Sequence, residues 1–287
     1  MAFLFYFDDM AFVMINGSIV DKSKVGLSPD DHSYRYGDGL FETMKIANKN
    51  ILLENYHFER LFSGLETLKF KIPAHFTRQE IKEQVKELCK KNNYEELARV
   101  RLSVSRGSGG LYDCDNKLSW LIETWPLEQN DKVLNESGLI IDIFPDARKS
   151  IDAFSNLKSA NYLPYVMAAI WAKENRLNDC LVLNQHERIC DSTIANIFWV
   201  KDNKIFTPPL SEGCVAGVMR KKIIETATHN SDFFVSESVL TEDILFQADE
   251  VFLTNAVAGI RWVKKCRSKV YKNTISSQIF TTPGEAI

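Results

Sequence analysis

Leu157-Lys158-Ser159-Ala160-Asn161-Tyr162-Leu163 enters an amphipathic stretch, Tyr162 to Glu174, that predicts a helix. Downstream, Asp191-Ser192-Thr193-Ile194-Ala195-Asn196-Ile197-Phe198 is a polar turn feeding an apolar strand. Strands are also predicted at 179–184, 194–200, 204–206 and 250–254, and a helix at 218–228. Between these, Pro208-Pro209 marks a loop.

Upstream, Phe12 to Val20 reads as a hairpin turning at Asn16-Gly17. Residues 40–53 predict two strands joined at Ala47-Asn48-Lys49-Asn50. A helix begins near Asn55, with Phe58, Leu61, Phe62, Leu65 and Leu68 on one face. Thr77 to Asn92 predicts a second helix, capped by Thr77 with Glu80 completing a capping box. Strands at 98–105 and 118–124 flank a glycine-rich run, and another strand follows at 139–143. Mixed strands and helices of this kind predict an α+β fold in two lobes. The expected division is an N-terminal α/β lobe over 1–126, a linker over 127–137 and a C-terminal lobe over 138–287.

The 287 residues, 45% hydrophobic and 25% charged, are enough for two domains. The net charge of −3 implies no basic face, so nucleic acid is not an expected partner. Cys89, Cys114, Cys180, Cys190, Cys214 and Cys266 form no CxxC pair and no zinc-spaced cluster. They predict reduced thiols, a cytoplasmic location and no metal. Met1 to Met14 is apolar but broken by Asp8-Asp9. It is too short to span a membrane and lacks signal-peptide features, so no membrane partner is expected.

An amine at Lys158 and a carboxylate at Asp191 are what pyridoxal 5'-phosphate (PLP) chemistry needs. The amine forms a Schiff base, and the carboxylate holds a proton on the pyridine nitrogen. Phosphate suits Gly213-Cys214-Val215-Ala216-Gly217-Val218-Met219-Arg220, where a helix starts behind two glycines. Read alone, such a motif is more often a plain loop-to-helix junction. Arg60 in Tyr56-His57-Phe58-Glu59-Arg60-Leu61 suits phosphate too, or is a surface arginine paired with Glu59 or another neighbour. His57 reads as a structural histidine. Arg106-Gly107-Ser108-Gly109-Gly110 would offer Arg106 to a substrate carboxylate, or is a hairpin loop. Tyr34 and Tyr36, before Gly37-Asp38-Gly39, line a site wall or simply pack.

Several ordered segments carry a resemblance. They are Tyr36 to Thr43, His57 to Leu61, Ser105 to Gly110, Lys158 to Asn161, Asp191 to Phe198, Gly217 to Arg220 and Thr254-Asn255-Ala256. Through them the chain resembles the class IV PLP-dependent aminotransferase family, the branched-chain and D-amino-acid type, from about Val13 to Val263. The resemblance implies a fold-type IV enzyme with a smaller N-terminal lobe, a larger C-terminal lobe and a cofactor crevice between them. It implies that Lys158 is the Schiff-base lysine and proton shuttle. Arg60, the amides of Val218 and Met219, Gly217 and the Asn255-Ala256 turn would hold the phosphate. Asn196 joins the cofactor-binding set, Tyr34 and Arg106 face substrate, and a homodimer is expected.

Asp191 falls where the family has glutamate, one methylene longer; Glu187 in a shifted register is the alternative. The activity implied is release of pyruvate from 4-amino-4-deoxychorismate, leaving 4-aminobenzoate. The alternatives are transamination of branched-chain or D-amino acids and a non-catalytic binding role on the same scaffold.

Overall fold

Asn16 and Gly17 take positive φ, 49° and 85°, as a two-residue hairpin turn of the observed hand requires. They join β1 (Phe12–Ile15) to β2 (Ser18–Asp21), with Ile15 opposite Ser18. The computed structural model describes residues 11–128, 134–229 and 233–281. Residues 1–10 and the middle of the expected linker lie outside the described residues.

The described chain divides into two units, and the first takes in Leu157–Tyr162 together with the N-terminal stretch. After β2 come α1 (His32–Tyr36), β3 (Gly39–Ala47), β4 (Asn50–Ile51), α2 (Glu54–Thr67), α3 (Arg78–Lys91), β5 (Leu97–Ser105) and β6 (Ser119–Pro126). The strands form an antiparallel sheet in the order β2-β1-β6-β5-β3-β4. Apolar residues alternate along β5, so Ala98, Val100, Leu102 and Val104 face the core and Arg99 and Arg101 face away. Phe58, Leu61 and Leu65 of α2 and Ile81, Val85 and Leu88 of α3 pack into the same core. Thr77 caps α3 by accepting from the Glu80 amide at 3.1 Å. The Glu80 carboxylate accepts from Gln84 instead of returning to the cap, so the expected box is half made.

Unit two contains β7 (Leu139–Lys149), α4 (Leu163–Glu174), β8 (Asp179–Asn184), β9 (Ile189–Ser192), β10 (Asn196–Lys201), β11 (Lys204–Thr207), α5 (Val218–His229), β12 (Val235–Glu237), α6 (Glu242–Gln247), β13 (Glu250–Asn255), β14 (Gly259–Cys266), β15 (Lys269–Val270) and α7 (Thr274–Thr281). Its mixed sheet runs β12-β11-β10-β13-β14-β7-β8-β9, with β15 beside β14. Ile141, Leu181, Ile197, Val251, Leu253 and Val263 supply its core.

The expected division thus needs one correction. Residues 157–162, placed by sequence in the C-terminal lobe, belong with unit one. The Phe41 amide donates to the Lys158 carbonyl at 2.9 Å, and the Ala160 amide donates to Gly39 O at 2.8 Å. Leu40 bridges Ser159 in antiparallel fashion. The segment is a short added strand on the edge of β3 that β5 leaves open. Leu157 packs on the unit-one core.

Gly39 is fixed by space. A Cβ there would lie 2.5 Å from Val104 O and 2.7 Å from Ser33 Oγ. Gly39→Ala should therefore destabilise the protein by about 2 kcal/mol, within the range for overpacked backbone sites. Urea unfolding at neutral pH checks it.

Candidate active site

Phe41 and Glu42 are neighbours on β3, so their side chains leave opposite faces of the strand. Glu42 meets α2, where His57 and Arg60, three residues apart, share one face. His57 Nδ1 donates to Glu42 Oε2 at 2.7 Å, and Arg60 Nε donates to Oε1 at 2.8 Å. Arg60 Nη2 donates to Oε2 as well, making a two-pronged pair. Burial works to raise the Glu42 pKa, but the Arg60 charge and the His57 bond overcome it and hold the carboxyl at about 2. Burial pushes His57 below the usual imidazole range against the pull of Glu42, so the ring is neutral. His57 Nε2 is buried with no hydrogen-bond partner among the described residues. Arg60 is therefore not a solvated surface residue; its guanidinium is held by Glu42.

The Phe41 face carries the amine. Lys158 Nζ lies 4.3 Å from the Phe41 ring centre and 5.8 Å from that of Tyr162. Tyr162 meets Phe41 edge to face. The Arg101 guanidinium lies 3.9 Å from the same Phe41 ring. Its Nε donates to Ser103 Oγ at 3.0 Å, and its Nη groups have no hydrogen-bond partner among the described residues. Phe41, Tyr162 and Arg101 were not singled out from sequence. The alternation of β5, which sets Arg101 on the non-core face, is the signal that marks it.

Arg106, expected to offer its guanidinium to a substrate, is instead committed to its own unit. It donates to Asp38 through Nε at 2.7 Å and Nη2 at 3.2 Å, to Leu68 O at 2.8 Å, and to Lys69 O and Asn116 Oδ1. Its plane also lies 4.2 Å from the Phe70 ring centre. Tyr34 is 74% exposed on α1, and the loop after Arg106 is tied to that helix by Arg35 Nη1 to Gly109 O and His32 Nε2 against Gly110 O.

In unit two, Asp191 on β9 is fully buried. Its Oδ2 accepts from Tyr165 OH at 2.8 Å, the Val215 amide at 2.8 Å and Lys149 Nζ at 3.3 Å. Oδ1 accepts from Asn196 Nδ2 at 2.9 Å. Burial raises the Asp191 pKa, opposed by Lys149, the Val215 amide and Tyr165. Glu187, the alternative, sits exposed in the β8–β9 turn with φ 57° and pairs with Arg148 at 2.7 and 2.8 Å. Lys149 and Tyr165 carried no motif in the sequence.

Gly217 packs on Asn196, because a Cβ would fall 1.7 Å from Asn196 Oδ1. The Lys221 amide donates to Gly217 O at 2.9 Å, which starts α5 there. The amides of Val218 and Met219 then precede the first intrahelical bond and stand at the positive end of the helix dipole. Asn196 pairs with Thr254 across β10 and β13. Asn255 Oδ1 accepts from the Val257 and Ala258 amides, closing the turn that holds Ala256.

The model of the family "amino-transferase class IV" matches residues 39–266. The chain belongs to the class IV aminotransferase family. It is a PLP-dependent enzyme of that family. An aminodeoxychorismate lyase from Bacillus subtilis is 29% identical over 252 residues, covering 86% of this chain and 84% of that protein. A Methanocaldococcus jannaschii protein provisionally named branched-chain-amino-acid aminotransferase is 29% identical over 266 residues, covering 91% and 90%. The solved branched-chain amino acid aminotransferase from Escherichia coli has a TM-score of 0.83 at 22% identity, covering 94% of this chain and 92% of that one. That likeness bears on the fold, α+β and fold-type IV.

Each unit by itself carries residues whose chemistry suits PLP. Unit one has an amine against two aromatic rings and a guanidinium. Unit two has a buried carboxylate whose Oδ1 accepts, among the described residues, from Asn196, and the amides of a helix start. Among the described residues no group of His, Cys, Asp and Glu could hold a metal. No helix there is long and apolar enough to cross a membrane. The described cysteines are unbonded, and burial pushes the thiols of Cys89, Cys180, Cys214 and Cys266 up to about 12.

Because Glu42 is depressed in the folded state, its stabilisation is complete above the ordinary carboxylate pKa of about 4.5 and is lost as pH falls from there towards 2. Glu42→Gln should cost about 3 kcal/mol at pH 7, where it removes the Glu42 charge that faces the half-buried Arg60. The gap from the native protein should narrow at pH 3. Urea midpoints at the two pH values check this.

Proposed function

We propose that this enzyme releases pyruvate from 4-amino-4-deoxychorismate and leaves 4-aminobenzoate. The observation that carries it is the pairing of two cations on one aromatic ring. Phe41 has the Lys158 amine at 4.3 Å and the Arg101 guanidinium at 3.9 Å. A substrate with two carboxylates rewards a second cation beside the reactive amine, and the Nη groups of Arg101 suit a two-pronged bond to a carboxylate. Arg101 takes the substrate role in place of Arg106, whose donors serve Asp38 and two backbone carbonyls. Support also comes from the likeness to the Bacillus subtilis lyase.

PLP, when bound, withdraws electrons from the amine-bearing carbon of the substrate. Lys158 would hold the cofactor through Nζ, and its amine is the group that would accept the proton from that carbon. Asp191 would hold a proton on the pyridine nitrogen. Arg60, oriented by Glu42 and His57, would be a phosphate-binding residue of unit one, and the Val218 and Met219 amides and the turn at Asn255 and Ala256 would be those of unit two. Asn196 fixes Asp191, and Gly217 gives Asn196 its place. Tyr34 remains a candidate for the substrate wall, as part of a homodimer in a cytoplasmic setting.

Transamination is the second reading, favoured by the likeness to the Methanocaldococcus jannaschii protein. There Lys158 would return the proton to the cofactor, and a keto acid would be required.

PLP-loaded protein given 4-amino-4-deoxychorismate without keto acid should form aminobenzoate and pyruvate in equal amounts over many turnovers. No product, together with amino-group exchange between amino and keto acids, would establish the transaminase instead. Lys158→Ala should lose at least ~100-fold in turnover, the scale of a positioned proton-transfer group. It should also lose the borohydride-reducible attachment of PLP.

A further inference from the structure

Three donors converge on one oxygen of Asp191, and one of them is a cation. Lys149, the last residue of β7, brings Nζ to 3.3 Å from Oδ2 and to 5.2 Å from the Tyr165 ring centre. Tyr165 OH and the Val215 amide fill the same oxygen. Among the described residues, Oδ1 accepts from the neutral Asn196 amide alone. The carboxylate is therefore polarised towards Oδ2, and its basicity at Oδ1 is reduced. The other ionisable groups interacting with Asp191 are the Cys190 and Cys214 thiols. Burial pushes Cys214 up to about 12 and Cys190 well above its ordinary value, so both are uncharged.

We propose that Lys149 is a positioning residue that sets how tightly Asp191 holds a proton on the pyridine nitrogen of PLP. The proposal rests on Asp191 meeting that nitrogen, as in the function proposed above. An ammonium this close to a carboxylate lowers its proton affinity by about one to three pKa units. Lys149 thus makes the pyridine nitrogen easier to deprotonate than an unpaired buried aspartate would. The shorter reach of aspartate leaves room for this, because the carboxylate stays back among its own donors.

The test uses full-length protein reconstituted with PLP labelled with ¹⁵N in its ring. The ¹⁵N signal is titrated for the native protein, Lys149→Met and Lys149→Arg, with borohydride reduction confirming attachment at Lys158. Lys149→Met should raise the apparent pKa of the ring nitrogen by about one unit, roughly tenfold in proton affinity. Lys149→Arg should restore most of the native value. Tyr165→Phe removes an uncharged donor from the same oxygen and should move the signal in the same direction by less. It carries the test if Lys149→Met does not fold.

Attachment at Lys158 with an unmoved ring-nitrogen pKa in Lys149→Met, or in Tyr165→Phe where the methionine variant fails, would overturn the proposal. It would leave Lys149 as a structural counter-ion. A native ring-nitrogen signal that Asp191→Asn does not move, with PLP attached, would overturn the placement of Asp191 and this proposal with it. Absence of attachment in the native protein would overturn the cofactor role of Lys158 and, again, the proposal.

Discussion

Two backbone hydrogen bonds decide where the Lys158 amine is anchored. The Phe41 amide holds the Lys158 carbonyl, and Gly39 O holds the Ala160 amide. Because they flank Lys158, they fix its Cα relative to β3, and β3 is anchored over its whole length to β5. The side chain is then left with a short choice of directions, towards Phe41 and Tyr162. A flexible four-carbon arm gains precision from a rigid base, and most of its entropy cost is met where burial is already favourable.

The same strand does a second job on its other face. Glu42 is buried against α2, where an isolated carboxylate would be costly. Arg60 and His57 answer that cost together: one supplies charge, and the other a neutral donor. The result is an arginine whose plane is set before any anion arrives. Preorganised donors of this kind lose less on binding than free surface arginines do. In unit two the logic repeats. Asp191 is the buried anion, and Lys149, Tyr165, Asn196 and the Val215 amide surround it.

What could be read from sequence was local. Asn16-Gly17 announces its hairpin because few other dipeptides accept two positive φ values. Thr77 announces a cap, and the spacing of Phe58, Leu61 and Leu65 announces a buried helical face. Lys158 and Asp191 stood out through motifs, and Gly217 through its place before a helix. The partners of those residues were not legible. Lys149 is joined to Asp191 by β7 continuing through a register shift between Ile143 and Arg148, which no periodicity reveals. The sequence-predicted strand stopped at Ile143 and so missed it. Arg106 looked available because its glycine-rich neighbours suggest an open loop. Two of its partners, Leu68 O and Lys69 O, are backbone atoms with no side-chain signature, and Asp38 lies 68 residues away in sequence.

The path of the chain through residues 157–162 also bears on how the protein can be divided. Neither unit is a single uninterrupted stretch. A fragment ending before 129 would hold β3 with a bare edge at Gly39 to Phe41, along with Glu42, His57 and Arg60, but without the lysine. A fragment beginning after 133 would carry the lysine on a segment stripped of the strand that fixes it. Gene fusions or domain exchanges that cut at the apparent linker would therefore separate the amine from its scaffold. In this chain the anchor strand and the amine are inherited as one piece of architecture, although 114 residues of sequence lie between Thr43 and Lys158.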